Sequence, residues 1–364
     1  MIKVWKYALL VLAGFSISKV NAQEDTSARS MDEVVLSALR KSQDKMYIPY
    51  SAESVTRKRM NEYQYRTAPE ALTGMTGVFV QKTNHGGGSP FLRGLTGNQV
   101  LMLVDGIRLN NSTFRYGPNQ YLNTIDAYSI RKMEAVKGTG SVQYGTDALG
   151  GVIQIFTKDP LYRERKGWSG MALGKYMSGN MEKTARAEAE YGSEKAAAYI
   201  GGTFRDFGDL YGGDTTGKQS PSGYREYAYD AKVKLQLRPA MELTLAHRFR
   251  QQDHVPVYHK VVLENYAVNE MAKQQRMMNY AKLLIKGKSK WIEEVETILS
   301  WQRSAEVRDS RKNNSSLLRN EEDRINTIGL TTDIYSSFND FWSANSGIEL
   351  YQDKVNSVRR DINL

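Results

Sequence analysis

Apolar and polar residues alternate with a period of two over most of the second half of the chain. In the stretch EYAYDAKVKLQL, every second residue from Tyr227 to Leu237 is apolar, and mostly polar residues lie between them. This alternation is typical of a β-strand with one apolar and one polar face. The same pattern predicts nine strands, near residues 168–176, 183–191, 196–207, 224–237, 241–252, 276–286, 290–303, 321–336 and 341–354.

The connections between these predicted strands alternate in length. Short connections fall at GSE, RPA, GKS and the NDF region. Long ones fall at GDLYGGDTTGKQSPSG, at the stretch from Asp253 to Arg276, and at DSRKNNSSLLRNEE. Tight turns at one end and long loops at the other are typical of an outer-membrane β-barrel, whereas the loops of a soluble β-sandwich need not sort by end. The pattern therefore favours a barrel over a sandwich.

The part of the chain before about Pro160 has a different organisation. Short apolar segments, separated by glycine-rich turns, predict strands, and APEALTGM predicts a short helix with proline in its first turn. The predicted strands are GVFVQKT, VLMLVDG, IRKMEAVKG and GGVIQIFTK. VLMLVDG is continuously apolar up to an Asp-Gly turn signal, so we expect it to be buried on both faces. The sequence predicts a small α+β domain here.

Three adjacent glycines, Gly86 to Gly88, stand before Pro90. They do not match a phosphate-binding loop, because no Lys-Ser or Lys-Thr pair follows and the G-x-G-x-x-G spacing is missing. Adjacent glycines indicate a place where the backbone passes close to another group, or where φ is positive.

The N-terminus has the features of a secretory signal, predicted over residues 1–22. Lys3 and Lys6 precede the apolar run YALLVLAGFSIS, and the small-residue end VNA precedes Gln23. A buried N-terminal helix is the alternative. Removal of the segment takes away three lysines and no acids, so the formal net charge of +10 would fall to +7. No stretch reaches the roughly 18 uninterrupted apolar residues of a membrane-spanning helix.

The amino-acid composition excludes some kinds of site and favours some classes of function. The chain has no cysteine, which excludes disulfides, thiolate metal sites and cysteine nucleophiles. Its 22 tyrosines suit the aromatic girdles of a membrane barrel, and also carbohydrate or nucleic-acid binding. Charges of both signs are interspersed, which we interpret as a solvated surface rather than a nucleic-acid site.

The sequence offers little catalytic chemistry. None of its four histidines has a metal-ligand spacing, and no G-x-S-x-G motif or EF-hand loop is present. We therefore expect no enzyme activity, no bound metal and no cofactor. Two other classes stay open: a passive polysaccharide-binding or adhesin-like barrel, and a surface protein that binds nucleic acid. No basic groove with spaced aromatic residues supports the second.

Several segments in order resemble the plug domain of TonB-dependent outer-membrane receptors, from about Asp32 to Lys158. They are APEALTGMTGVFVQKT, SPFLRGLTGNQVLMLVDGIRLN and IRKMEAVKGTGSVQYGTDALGGVIQIFTK. The resemblance implies an α+β plug domain over residues 46–160, then an antiparallel transmembrane β-meander over 161–364. Such receptors have a 22-stranded barrel, so nine strands imply an incomplete barrel and an incomplete sequence: a fragment, a truncated gene or a deliberately shortened chain.

The resemblance also implies a coupling segment in a flexible tail over residues 23–45. MDEVVLSALR resembles the TonB box, with Glu33, Val34, Val35 and Leu36 as its residues. EVVL is a short strand former in a polar tail, and such a segment can add to the sheet edge of a partner protein. The alternative is that it forms the first strand of the plug. The implied partners are a TonB-type energy-coupling protein, outer-membrane lipid and an extracellular ligand.

Candidate ligand residues follow from the family pattern. His85, Gly86, Gly87 and Gly88 would lie at the apex of the plug, together with Arg115 and Tyr116. Arg93, in FLRG, matches a plug arginine that faces the barrel wall, where it can bind barrel carboxylates, or else it is a solvated charge.

The ligand itself is predicted to be an iron complex. NNSTFRYGPNQYLNTID resembles the haem and haemoglobin receptor subgroup, and an imidazole can ligate haem iron. His254, Tyr258 and His259, in an outer loop, are further candidates, with ordinary loop residues as the alternative. His247 falls on the apolar face of its strand and is assigned to the lipid interface. A ferric siderophore is the competing ligand, for which Arg115 and Tyr116 serve equally well. The expected location is the outer membrane of a Gram-negative-type bacterium.

Overall fold

Three of the four predicted apolar strands of the N-terminal part, VLMLVDG, IRKMEAVKG and GGVIQIFTK, belong to one mixed sheet, and GVFVQKT pairs separately. The computed structural model describes residues 35–36, 43–44, 51–82, 84–114, 116–117, 121–138, 144–179, 181–339 and 341–364. The predicted signal segment lies outside these residues. The strands of this part are β1 (Val35–Leu36), β2 (Gln43–Asp44), β3 (Ser51–Thr56), β4 (Val78–Lys82), β5 (Gly88–Leu92), β6 (Val100–Val104), β7 (Ile107–Arg108), β8 (Ile130–Lys137) and β9 (Gly151–Thr157).

The central sheet has the strand order β3-β8-β9-β6-β7, with β6 and β9 parallel and the other pairs antiparallel. Helix α1 (Arg57–Glu62) and helix α2 (Ala68–Ala71) follow β3, and β4 pairs with β5 as a hairpin. All five residues of β6 are buried, as the continuous apolar run predicted. We call residues 51–157 the plug.

The second half forms a single antiparallel sheet of nine strands, which we call the wall. Its strands are β10 (Gly167–Met177), β11 (Glu182–Gly192), β12 (Ala196–Phe207), β15 (Tyr224–Arg238), β16 (Met241–Pro256), β17 (Tyr266–Ser289), β18 (Ile292–Lys312), β19 (Leu317–Ser337) and β20 (Ser343–Asn363). Each pairs with the next along the chain, and the two end strands do not pair with each other. The predicted open meander is confirmed.

The connections sort by end, but less completely than predicted. At the inner end, residues 193–195, 239–240, 290–291 and 338–342 join the strands. At the outer end, 208–223 is a long connection that contains the hairpin β13 (Leu210–Tyr211) and β14 (Lys218–Gln219). Helix α3 (Tyr258–Leu263) occupies the next connection.

Two of the predicted long loops are mostly strand. β16 continues to Pro256, and β17 begins at Tyr266. β18 and β19 are joined by a turn over residues 313–316. The ladder continues there although polar residues occupy both faces. Alternation cannot reveal such a hairpin, because neither face needs to be apolar beyond the membrane.

Burial in the wall is inverted relative to a soluble sheet. Large apolar side chains are exposed, including Ile200, Phe204, Leu245, Leu299, Trp301, Ile328 and Leu350, while Glu182, Arg186, Arg205, Glu226 and Lys232 are buried. The polar face covers the plug, and the apolar face points outward, as in a membrane barrel. Exposed aromatic residues lie at the inner end, among them Trp168, Trp291, Phe341 and Trp342, where an interfacial girdle is expected.

The plug and the wall belong to one compact unit, Val35–Leu364. Within the residues described, no helix is long and apolar enough to cross a membrane.

Candidate functional site

The contact between the plug and the polar face of the wall, here called the plug–wall interface, contains the largest concentration of buried charge in the described structure. On β11 and β15, charged residues recur two or four positions apart, and β12 adds Arg205, so these side chains share the inner face. Those that are buried include Glu182, Arg186, Arg205, Glu226, Asp230 and Lys232. This corrects the interpretation of the interspersed charges as a solvated surface. The period-two spacing of these charges was the signal in the sequence that could have revealed them.

His85 lies in the plug–wall interface near the outer ends of β12 and β15. Its side chain is only 4% exposed, and its ring meets the rings of Phe207 and Tyr224 edge-on, with centroids 5.1 and 5.9 Å away. Arg66 Nη1 lies 3.1 Å from His85 Nε2, which therefore accepts a hydrogen bond. Nδ1 has no partner in the part of the chain that the structure describes. Burial and the charge of Arg66 lower the pKa of His85 to about 4.

The neutral His85 is thus enclosed by protein. The prediction that it presents its imidazole to a ligand is corrected, because the wall strands β12 and β15 cover it and Arg66 occupies Nε2. Beside it, Arg66 also donates to Glu70, with Nη2 and Oε1 2.7 Å apart. Burial alone would raise the pKa of Glu70, but Arg66 and Lys82 lower it to about 2.

The three glycines are buried in the same contact. A Cβ atom at Gly86 would lie 1.8 Å from Tyr224 Oη, and one at Gly87 would lie 2.2 Å from Asn84 Oδ1. At Gly88, Val80 Cγ1 would be 2.8 Å away. The prediction of a close backbone approach is confirmed. The neighbours are the wall and the plug itself, so the prediction of an open apical loop for ligand is wrong.

Arg205, on β12, is the arginine that links plug and wall at this level. It is fully buried, and its Nη1 donates to the backbone oxygen of Arg66 at 2.6 Å. Nη2 donates to Glu182 Oε1 at 2.8 Å, and Nη1 lies 3.2 Å from Glu226 Oε1. One guanidinium therefore joins two wall carboxylates to the plug backbone.

The predicted contact of Arg93 with barrel carboxylates stays a prediction. Arg93 is exposed and adopts φ of +52° in the tight turn between Leu92 and Leu95. Its guanidinium makes no hydrogen bond or ion pair with the described residues.

Asp126 forms the middle part of the plug–wall interface. Its Oδ2 accepts from Arg186 Nη1 at 3.0 Å and from Thr203 Oγ1 at 2.8 Å. Burial would raise the pKa of Asp126, but the charges of Arg186 and Arg250 lower it below its usual value. Arg250 also donates to the backbone oxygen of Ile125 at 2.5 Å. The carboxylate is thus ionised and held by the wall.

Asp105 forms the inner part. It lies in the predicted Asp-Gly turn between β6 and β7, with φ of +51°. Its Oδ2 accepts from Tyr280 at 2.9 Å and from Thr157 Oγ1 at 2.6 Å, and lies 3.4 Å from Lys232 Nζ. Burial alone would raise the pKa of Asp105, but Lys232 and Arg248 hold it well below its usual range. The sequence analysis identified this residue only as a turn former.

A cavity of about 400 Å³ lies beside Asp105, toward the inner end. Charges of both signs line it, including Arg131, Lys234, Lys282, Glu242, Glu294 and Glu296. Ionic and hydrogen-bonded contacts of this kind can be exchanged for contacts with water, whereas a packed apolar interface cannot. The arrangement suits a plug that is held firmly and can still be displaced.

The remaining candidate ligand residues lie apart from this contact. Tyr116 is 78% exposed on a plug loop, and Arg115 is outside the described residues. His254 is exposed, and its Nδ1 lies 2.8 Å from Glu270 Oε1. His259 is exposed on α3 beside the half-buried Tyr258. No hydrogen bond or ring contact between described residues joins Tyr116 to these histidines.

The segment predicted as the TonB box is described in part. Val35 and Leu36 form β1, which pairs with Gln43 and Asp44 of β2, while Glu33 and Val34 lie outside the described residues. Among the residues that the structure describes, no group of three or more His, Asp or Glu side chains is placed to hold a metal ion.

Known proteins with this arrangement fall into one family. Residues 44–152 match the model of the TonB-dependent receptor plug domain. The vitamin B12 transporter BtuB of Vibrio vulnificus (strain YJ016) is 31% identical over 206 residues, which is 54% of this chain and 32% of that protein. The chain therefore spans about one third of the length of this relative.

Two solved structures share the fold. A double mutant of the Serratia marcescens hemophore receptor HasR, in complex with its hemophore HasA and heme, aligns with a TM-score of 0.68 at 20% identity, over 86% of this chain and 46% of that one. The copper transporter OprC aligns with a TM-score of 0.67 at 16% identity, over 81% and 44%.

These matches agree with a plug domain followed by a long antiparallel sheet. The matched proteins are named as transporters and receptors, which are not enzymes. The resemblance found in the sequence is confirmed: residues 44–152 match the plug domain of TonB-dependent receptors, and the chain is similar to such receptors beyond it.

Proposed function

We propose that the protein takes up a scarce extracellular ligand across the outer membrane, with energy supplied through a TonB-type partner. The observation that carries this proposal is a folded plug seated on the polar face of the wall by the buried ion pairs of Asp126 and Asp105 and by the hydrogen bond from Arg205 to the plug backbone. A passive binding barrel needs no such plug. The coupling segment is Glu33 to Leu36, whose strand-forming residues are suited to pairing with a partner's sheet edge.

The proposed ligand is a metal complex, with haem or a haem protein as the first candidate. The exposed His254 at the outer end of β16 and the exposed His259 on α3, with Tyr258 beside it, are the candidate iron ligands, and Tyr116 supplies an exposed aromatic contact on the plug. His85 has no part in this proposal. A ferric siderophore is the alternative, and similarity to vitamin B12 transporters adds cobalamin as a third ligand to test.

The test compares uptake and binding in cells that express the protein as their only receptor for each ligand. Haem, a ferric siderophore and cobalamin are supplied separately, and bound and imported ligand are measured. In the Val35→Pro variant, import should fall to background while binding stays unchanged, because proline removes the N–H that strand pairing requires.

Ala28→Pro, earlier in the same tail, is the matched control and should import normally. Unchanged import by Val35→Pro would reject the coupling segment. Binding of none of the three ligands would reject the proposed ligand class, and tight binding of only the siderophore or only cobalamin would replace haem.

A further inference from the structure

The outward face of the wall carries a concavity of about 740 Å³, here called the outer groove. It is lined by apolar side chains of β15 to β19, among them Val233, Leu245, Leu299, Trp301 and Ile328. Ala231 and Ala281 form its floor, since their small side chains stand between larger ones. The groove is continuous with the exposed apolar face of the wall, which faces lipid.

One polar pair interrupts this surface. His247 and Asn279 are directly opposite each other on β16 and β17, and His247 Nδ1 lies 2.7 Å from Asn279 Oδ1. With Asn279 Oδ1 as the acceptor, Nδ1 is the donor, and in the neutral imidazole Nε2 then carries the lone pair that can accept a second hydrogen bond. Nε2 makes no hydrogen bond with the residues that the structure describes. Asn279 thus orients the imidazole as an acceptor within an apolar groove.

The register fixes the depth of this pair. Ala231, His247, Asn279, Trp301 and Ile328 form one row across five strands. The row below is apolar on every strand: Val233, Leu245, Ala281, Leu299 and Leu330. The row above consists of Tyr229, Phe249, Met277, Arg303 and Asn326, so it contains both aromatic and polar residues. The next row consists of Tyr227, Gln251, Gln275, Ala305 and Arg324.

Successive rows are two residues apart along tilted strands, which corresponds to about 5 Å of membrane depth. His247 therefore lies one row below a row that contains both aromatic and polar residues, at the upper edge of the hydrocarbon layer. Because the long connections mark the outer side, this edge belongs to the outer leaflet. A polar group at such a position is costly unless something pairs with it, so it marks a binding site.

We propose that the outer groove holds an acyl chain of an outer-leaflet lipid that carries a hydroxyl group a few carbons from its head group. The apolar lining accepts the chain, and the hydroxyl donates to His247 Nε2. A plain acyl chain fills the groove but leaves Nε2 unpaired, so hydroxylated chains are preferred.

The test uses the protein purified from outer membranes and returned to bicelles that contain two lipids in equal amounts. One is phosphatidylethanolamine with two tetradecanoyl chains, and the other has one chain replaced by 3-hydroxytetradecanoyl. Lipid retained by the protein is then counted by native mass spectrometry. The wild type should retain the hydroxylated lipid with a preference of about threefold or more, as one hydrogen bond within a membrane supplies.

Three variants separate the contributions. His247→Leu should retain lipid but lose the preference, and Ala281→Phe, which fills the floor of the groove, should lose the retained lipid. Leu350→Phe adds similar bulk on the exposed face of β20, outside the groove, and should behave as wild type. Equal retention of both lipids by the wild type, unchanged retention in Ala281→Phe, or a copurifying protein that is lost in Ala281→Phe would each overturn the proposal.

Discussion

At the scale of single residues, His85 shows how the wall changes what a side chain can do. A histidine beside three glycines in an exposed loop would be a good ligand, but here Arg66, Phe207 and Tyr224 surround it. The glycines allow the chain to pass against Tyr224, where no Cβ fits at Gly86. We infer that His85 helps to seat the plug and does not contact ligand.

This position predicts a pH-dependent stability of the plug. The pKa of His85 is lowered to about 4, so the unfolded chain binds a proton more tightly than the folded one. The contribution of His85 to the free energy of unfolding of the plug is therefore fully present above about pH 6.5. It falls by up to ~3 kcal/mol as the pH drops from about 6.5 to 4. Urea unfolding of the plug, followed by limited proteolysis at several pH values, measures this.

His85→Gln keeps an acceptor for Arg66 and cannot titrate, so it should lose this part of the pH dependence. Carboxylates also titrate near pH 4 and affect both proteins. The relevant quantity is therefore the difference in free energy of unfolding between wild type and His85→Gln at each pH. His259→Gln, at an exposed position on α3, serves as control and should follow wild type. Identical pH profiles for wild type and His85→Gln would contradict the prediction.

At the scale of elements, the turn between β6 and β7 is held by strands β15 and β17. Asp105 reaches Lys232 on the first and Tyr280 on the second, while Thr157 of β9 donates to it twice. Three elements distant in sequence therefore meet at one carboxylate. Its ionised state depends on the cations of the wall.

Removal of Lys232 should loosen this contact strongly. Lys232→Met leaves the carboxylate of Asp105 buried without its cation, which we expect to lower the free energy of unfolding of the plug by about 3–5 kcal/mol. Asp105→Asn combined with Lys232→Met should recover part of the loss, because the buried position 105 then carries no charge, and Asp159, the other partner of Lys232 at 2.6 Å, is partly exposed. Lys234→Met is the matched control: Lys234 pairs with Glu242 at 3.2 Å in a partly exposed position and should cost less than about 1 kcal/mol. Equal losses for the two lysines would refute this account.

At the scale of the whole molecule, the wall has its apolar residues outside and its charges inside. That arrangement stabilises the protein only where lipid covers the outer face and the plug covers the inner one. The membrane therefore covers the apolar outer face, and the plug covers the charged inner face. The apolar face would be unstable in water, and the charged face would be unstable in lipid.

A charge on the outer face should test this organisation directly. Leu299→Arg, at a 55% exposed position on β18 and one row below His247, should destabilise the protein in lipid vesicles by about 2 kcal/mol, measured by urea unfolding. Leu263→Arg changes a residue that is 79% exposed on α3, beyond the strands, and should have little effect. If both variants unfold alike, the outward face of the wall is not in contact with lipid.

Much of the architecture was predictable because it depends on local periodicity. A strand with one face in lipid must alternate, so all nine wall strands were found near their observed positions, as was the buried β6. The ends of β16 to β19 were missed because both faces are polar outside the membrane. The motif order in the plug identified the family without any tertiary information.

The candidate site was predictable only in part, for a physical reason. The sequence indicated that the backbone at residues 86–88 passes close to another group, and that Asp105 is part of a turn. Only the tertiary structure decided that Tyr224, far along the chain, is the group that Gly86 meets, and that Lys232 and Tyr280 pair with Asp105. Alternation is a property of neighbours in the chain, whereas partners across the plug–wall interface depend on strand register and on how the plug is seated, which no local pattern specifies.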